Sequence, residues 1–131
     1  MQTQMEMDLD ILSAEQKTEE LITAELARQD TLWGKLNERA DASQGQLLYA
    51  GTATLDALIE RRAGDPYSFT RVPDIYPDDW DGFRDYGPDV PNLVVAIAFL
   101  TQEVKRLILN GESTERLSRD AWLAQQQVAT S

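Results

Sequence analysis

All five prolines of this 131-residue chain fall between Pro66 and Pro91, at positions 66, 73, 77, 88 and 91. Proline removes a backbone donor and its ring clashes with the preceding helical turn. Long helices are therefore allowed on either side of that segment and excluded within it. The same stretch, residues 65–91, carries Tyr67, Phe69, Tyr76, Trp80, Phe83 and Tyr86 among seven aspartates (65, 74, 78, 79, 81, 85, 89). A connection of this length is uncommon inside a compact domain and is usually functional or disordered, but disordered segments are poor in aromatics. The segment reads as an ordered acidic surface loop anchored by its rings, with the aspartates turned to water.

The rest of the chain has the size and composition of one helical domain. At 131 residues and 42% apolar it can bury a single core. Its longest apolar stretch, Leu93–Leu100, falls far short of the roughly 20 residues that a bilayer requires, and the acidic start Met1–Asp10 lacks the basic opening of a signal peptide. There is no cysteine and no histidine. That removes disulfides, thiolate chemistry, the commonest general base and the commonest transition-metal ligand, and a reducing cytoplasm is the expected location. The net charge of −11 is unevenly spread: −6 over residues 1–64, −5 over 65–91 and zero over 92–131. Such a surface repels phosphate backbones and anionic membranes. Basic protein surfaces suit it better.

Three main helices and a short fourth are predicted. Ser13-Ala-Glu-Gln16 has capping-box spacing and predicts a start at 13, leaving 1–12 as a flexible N-terminus. Ile22, Leu26, Gln29, Trp33, Leu36 and Ala40 then recur on one face to about residue 38, with Gly34 a weak point. Ser43-Gln-Gly-Gln46 opens the second helix, whose apolar face reads as Leu47, Leu48, Gly51, Leu55, Leu58 and Ile59. Its small residues Ala50, Gly51, Ala53 and Ala57 invite close approach by another helix. Gly64 and Asp65-Pro66 end it. The third follows Asp89, with Pro91 tolerated in the first turn, and ends at Asn110-Gly111. Leu93-Val-Val-Ala-Ile-Ala-Phe-Leu100 is apolar all round, so it must be surrounded, as the centre of the bundle or half of a subunit interface. A last amphipathic segment, about Thr114–Gln127, carries Leu117, Ala121, Ala124 and Val128 on one side and is too short to be stable alone. Residues 112–131 are expected to pack on the bundle or on a second subunit.

Three chemistries are compatible with these residues. Asp79-Trp-Asp81-Gly82 has the alternating aspartates and glycine of a calcium loop, but in that register Pro77 and Pro88 hold the positions that need acids; a solvated acidic turn is the simpler reading. A MazG-type nucleoside-triphosphate pyrophosphohydrolase would hold Mg²⁺ with acids three residues apart on facing helices. Here Glu15 and Glu19 are four apart, Glu20 and Glu25 five, and Asp56 and Glu60 four, while the third helix offers only Glu103. Finally, Arg61, Arg62, Arg71 and Arg84 flank or lie within the aromatic loop, and arginine with aromatic rings can hold a planar anion. The plainer alternative is that Arg61 and Arg62 complement a helix dipole and Arg71 and Arg84 neutralise neighbouring aspartates.

The order of the pieces resembles a group of small, mostly uncharacterised bacteriophage and prophage proteins. Their pattern is an Arg-Gln, a Gly-Trp, a Gly-Glu-Leu opening an alanine-rich helix, a Trp/Pro-rich segment, and a Leu-Val-x-Ala…Glu-x-x-Arg-Leu helix. The matching pieces are Arg28-Gln29, Trp33-Gly34 in reversed order, Gly45-Gln-Leu47, Tyr76-Pro-Asp-Asp-Trp80, and Leu93-Val-Val-Ala…Glu103-Val-Lys-Arg106-Leu107. The group often carries a His-Asp-Asp-x-x-His-like stretch before the Gly-Glu-Leu; this chain has Asn37-Glu-Arg-Ala-Asp41 there and no histidine. The resemblance implies a phage- or prophage-type accessory protein. Together the readings predict a single all-α domain that is non-catalytic and needs no cofactor or metal. It would bind a protein partner with a basic surface, or a small ligand, through Arg71, Tyr76, Trp80, Phe83, Arg84 and Tyr86. Direct nucleic-acid and membrane binding are not expected, a homodimer is, and the alternatives are the MazG-like hydrolase and an acidic DNA mimic.

Overall fold

The computed structural model describes residues 2–35, 45–64, 76–77, 80, 83 and 86–130, and these form four helices with no strand among them. The helices are α1 (Gln4–Trp33), α2 (Gln46–Arg62), α3 (Asp89–Leu109) and α4 (Arg119–Thr130). Both α1 and α2 pack on α3, which makes α3 the axis of the bundle. No helix among the described residues is long and apolar enough to cross a membrane.

The first helix begins nine residues before the predicted Ser13 start. Thr3 is its N-cap: the Glu6 amide donates to Thr3 Oγ1 at 3.2 Å, and Glu6 Oε2 accepts from the Thr3 amide at 3.1 Å. Thr3-x-x-Glu6 is therefore the capping box in use. The residues between it and Ser13, Met7–Leu12, include no glycine or proline, so nothing stops propagation between the two boxes. The helix also ends earlier than predicted, at Trp33, because Gly34 adopts φ +85° and donates its amide to Asp30 O at 2.9 Å. The predicted face residues Leu36 and Ala40 lie outside the described residues.

In α2 the buried face is rotated from the predicted one. Leu47, Ala50, Gly51, Ala53, Thr54, Ala57 and Leu58 are buried, whereas Leu48 and Ile59 are exposed. The cause is the approach of α3: a Cβ on Gly51 would lie 3.0 Å from Leu100 and 3.3 Å from the Ala96 carbonyl. Helices this close are spaced by their small residues, and the larger Leu48 and Ile59 are displaced to the flank. At the helix end Arg61 donates to Gly87 O, and Arg62 pairs with Asp89 at 2.8 Å. These two arginines thus tie the exit of α2 to the entry of α3.

One half of α3 is surrounded and the other is not. Asn92, Val95, Ala96, Ala98, Phe99, Gln102 and Glu103 are buried, while Val90, Ile97, Val104 and Ile108 are exposed. Among the described residues, α1 and α2 make its main helix contacts, and they cover one side of its circumference. Pro88 is its N-cap, one residue before the predicted Asp89. The fourth helix starts at Arg119, after the predicted Thr114, because Ser118 caps it: Ser118 Oγ accepts from the Ala121 amide at 3.1 Å. Residues 119–127 are all exposed, so α4 does not bury a face on the bundle.

The contact between α2 and α3 makes Gly51 the position most sensitive to added volume. Gly51→Leu is expected to lower the unfolding free energy by about 2–3 kcal/mol through overpacking. Gly51→Ala should change it by less than about 1 kcal/mol, since its crowding is offset by roughly 1 kcal/mol of helix propensity. Urea denaturation followed by circular dichroism measures both.

Candidate binding site

The hydrophobic cluster of the bundle is small: Leu47, Ala50, Ala53, Tyr76, Val95 and Phe99, with Trp80, Phe83 and Tyr86 packed against it. The loop's rings join helix residues there. Tyr76 is buried, and its ring meets Phe83 edge-on at 5.1 Å and Trp80 at 6.3 Å. Trp80 in turn leans on Phe99 at 6.1 Å, and Phe99 stacks with Trp33 at 5.8 Å. Edge-to-face contacts of this kind contribute about 0.5–1.5 kcal/mol each beyond the area they bury. The Trp80 amide donates to Pro77 O at 3.1 Å.

Beside this cluster lies a polar network that joins α1 to α3. Glu25, Gln29, Asn92, Gln102 and Glu103 are all buried. Arg28 donates to both oxygens of Glu25, at 2.7 and 2.9 Å, and Gln29 Nε2 donates to Glu25 Oε2 at 3.0 Å. Gln102 Nε2 reaches across from α3 to Gln29 Oε1 at 2.5 Å, and one turn on Arg106 pairs with Glu103. Arg28 also donates to the Tyr86 hydroxyl at 3.0 Å, with its guanidinium carbon 5.6 Å from the ring centre. Asn92 Oδ1 accepts the Tyr86 amide at 3.0 Å and fixes the backbone that carries the ring.

The hydrogen bonds to Glu25 raise the Arg28 pKa above its ordinary value against the opposing effect of burial, with smaller contributions from the charges of Glu25 and Tyr86. Hydrogen bonding to Glu103 does the same for Arg106, also against burial. A cation whose pKa is raised on folding stabilises the fold fully below its unfolded pKa and loses that contribution only above it. For arginine that loss begins above about 12, so both guanidiniums stay charged throughout the neutral range.

Two cavities meet at Arg28, Tyr86 and Val95. The inner one is a narrow aromatic cleft of about 30 Å³, walled by Trp33, Thr54, Tyr76, Phe83 and Phe99. The outer one is a groove of about 270 Å³ between α1 and the start of α3, with Leu21, Ala24, Val90, Pro91 and Val94 as apolar walls and Glu25 in its lining. Ala24 also borders an open acidic shelf formed by Gln16, Glu19, Glu20, Thr23 and Ala27.

Of the six residues singled out from the sequence, Tyr76, Phe83 and Tyr86 line the inner cleft, Tyr86 lines the groove as well, and Trp80 packs on the cleft's wall residues Tyr76 and Phe99. Arg71 and Arg84 lie outside the described residues, as do Tyr67, Phe69 and the acids Asp79 and Asp81 of the calcium-loop register. Among the described residues no group of three acids is placed to hold a metal ion. Arg61 and Arg62 bond to Gly87 and Asp89 at the base of α3. The network residues Glu25, Gln102, Asn92 and Arg28 carry no periodic signal. Arg28, Glu25 and Gln29 of α1 connect to Gln102 of α3, while Glu103 and Arg106 pair with each other within α3. No known protein family, curated protein or solved structure matches the chain.

The network's most connected acceptor is Glu25. Glu25→Ala is expected to cost about 2 kcal/mol, because it leaves the buried Gln29 amide without an acceptor while the partly exposed Arg28 turns to water. Glu25→Gln keeps an acceptor and should cost less than about half of that. Chemical denaturation of the two variants measures the difference.

Proposed function

We propose that this chain is a non-catalytic accessory protein of the phage or prophage type that acts by binding, and that the groove at Tyr86 receives its partner. The carrying observation is the joining of an apolar groove to an acidic shelf through Ala24. A segment with one apolar side chain flanked by lysine or arginine matches both: the side chain fills the groove against Leu21, Val90 and Val94, and the cations meet Glu19 and Glu20. Tyr86 and Arg28 at the floor supply the orienting polar groups that such sites use. The net charge of −11 favours the approach of a basic partner.

Two observations favour binding over hydrolysis. The two buried glutamates, Glu25 and Glu103, are each already paired with an arginine. Both arginines stay cationic throughout the neutral range, so neither can serve as a base. Short cationic peptides with a central leucine, phenylalanine or tryptophan, titrated into the isotopically labelled protein, are expected to shift the amide resonances of Leu21, Ala24 and Val94. Ala24→Trp, at an exposed helical position, should fill the groove and remove those shifts while the fold persists. Peptides that bind equally well to Ala24→Trp would exclude the groove. Pyrophosphate release from nucleoside triphosphates with Mg²⁺ or Mn²⁺, abolished in Glu103→Ala, would replace the binding reading with the hydrolase one.

A further inference from the structure

The outer face of α3 bears an uncovered seam. Val90, Val94, Ile97, Thr101, Val104 and Ile108 follow one another at spacings of 4, 3, 4, 3 and 4 residues, the repeat that keeps one stripe in register with a second helix. The stripe lies opposite the buried face that carries Asn92, Val95, Phe99 and Gln102. Val90 is 58% exposed, Ile97 38%, Val104 55% and Ile108 50%. Leu93, Leu100 and Leu107 run along one flank at seven-residue spacing, and Pro91, Ala98 and Lys105 along the other. From Val90 to Ile108 the stripe is about 27 Å long, at 1.5 Å per residue.

Charge identifies what covers it. In a chain of net charge −11, like molecules repel over most of their surfaces. Within Val90–Ile108 the ionisable residues are Glu103, Lys105 and Arg106, and Glu103 and Arg106 pair with each other beside the bundle. The exposed charge beside the seam is therefore the cation Lys105, and the one acid of the stretch, Glu103, is buried and paired, so it does not repel a second acidic copy. The exposed apolar residues at the start of α1 do not make so long a seam. On the projecting part of α1, Met5, Leu9 and Leu12 share one face while Met7 and Ile11 lie on the opposite one.

We propose that two copies of this chain pair through the outer faces of their α3 helices, antiparallel, about a two-fold axis near Ile97 and Thr101. The flanks select the direction. Parallel helices would set each leucine flank against the partner's Pro91, Ala98 and Lys105 flank, whereas antiparallel ones bring like flanks together and still hold the two Lys105 positions about 18 Å apart along the axis. The antiparallel pair thus joins the Leu93, Leu100 and Leu107 flanks, extending the apolar contact, and closes as a two-fold dimer that leaves no seam open to a third copy. Val90 and Val94 are both the start of the seam and the outer lip of the groove. Each groove is thereby bordered by the last turn of the partner's α3.

Sedimentation and light scattering of the full chain at tens of micromolar should give twice the 14.8 kDa chain mass. Val104→Glu and Ile97→Gln, both at exposed positions, should each shift the protein toward the monomer, weakening dimerisation at least tenfold with the helical circular dichroism retained. Because the native chain has no cysteine, direction can be read by cross-linking. The double variant Val90→Cys/Ile108→Cys should form an intermolecular disulfide on oxidation, and Ile108→Cys alone should not. A strict monomer, or a dimer unaffected by both seam variants, overturns the proposal; efficient cross-linking through Ile108→Cys alone overturns its direction. Peptide binding in the groove is measured separately, and its failure leaves the dimer result intact.

Discussion

The attachment of α1 depends on two amides meeting in the interior. Gln102 of α3 donates to Gln29 of α1, and Gln29 donates in turn to Glu25. A contact between two apolar helices tolerates small slides, because the hydrophobic effect is non-directional. An amide bridge does not, since each buried donor or acceptor left without its partner costs about 1–3 kcal/mol. The register of α1 against α3 is thus set by hydrogen bonding, and the position of Tyr86 follows through Arg28 and Asn92. The α2–α3 contact works differently, through small residues and close approach, so one face of α3 is held by packing and another by polar geometry.

This division explains which features were legible in the sequence. Glycine and alanine at 50, 51, 53 and 57 announced a close helix contact, and the structure places α3 against them. Which larger residues would be displaced was not legible, because it depends on the direction from which α3 arrives; Leu48 and Ile59 fit the periodic pattern and are nevertheless exposed. The early start of α1 was written in Thr3 and Glu6 but masked by an equally good box at Ser13. The choice between two boxes turns on whether the intervening turns propagate, and here no glycine or proline interrupts them.

The polar network was hidden for a different reason. Hydrophobic periodicity finds buried apolar residues, and it assigns glutamate and glutamine to the solvent by default. Glu25, Gln29, Gln102 and Glu103 invert that rule, since each is buried with a specific partner from its own or the neighbouring helix. For the loop, the rings Tyr76, Trp80, Phe83 and Tyr86 were identifiable by type, and the structure gathers them at the bundle. Their ring-to-ring order and the arginine over Tyr86 are tertiary facts with no linear trace.

Arg28 belongs to both the inner cleft and the outer groove, and it faces Glu25 and Tyr86 at once. On the binding reading proposed above, a group in the groove that drew the guanidinium outward would loosen its hold on the Tyr86 hydroxyl and so shift the wall of the cleft. The cleft has room for about one water, so the shift would be taken up by the packing of the rings themselves. Its cost would be set by how strongly Arg28 prefers its present partners.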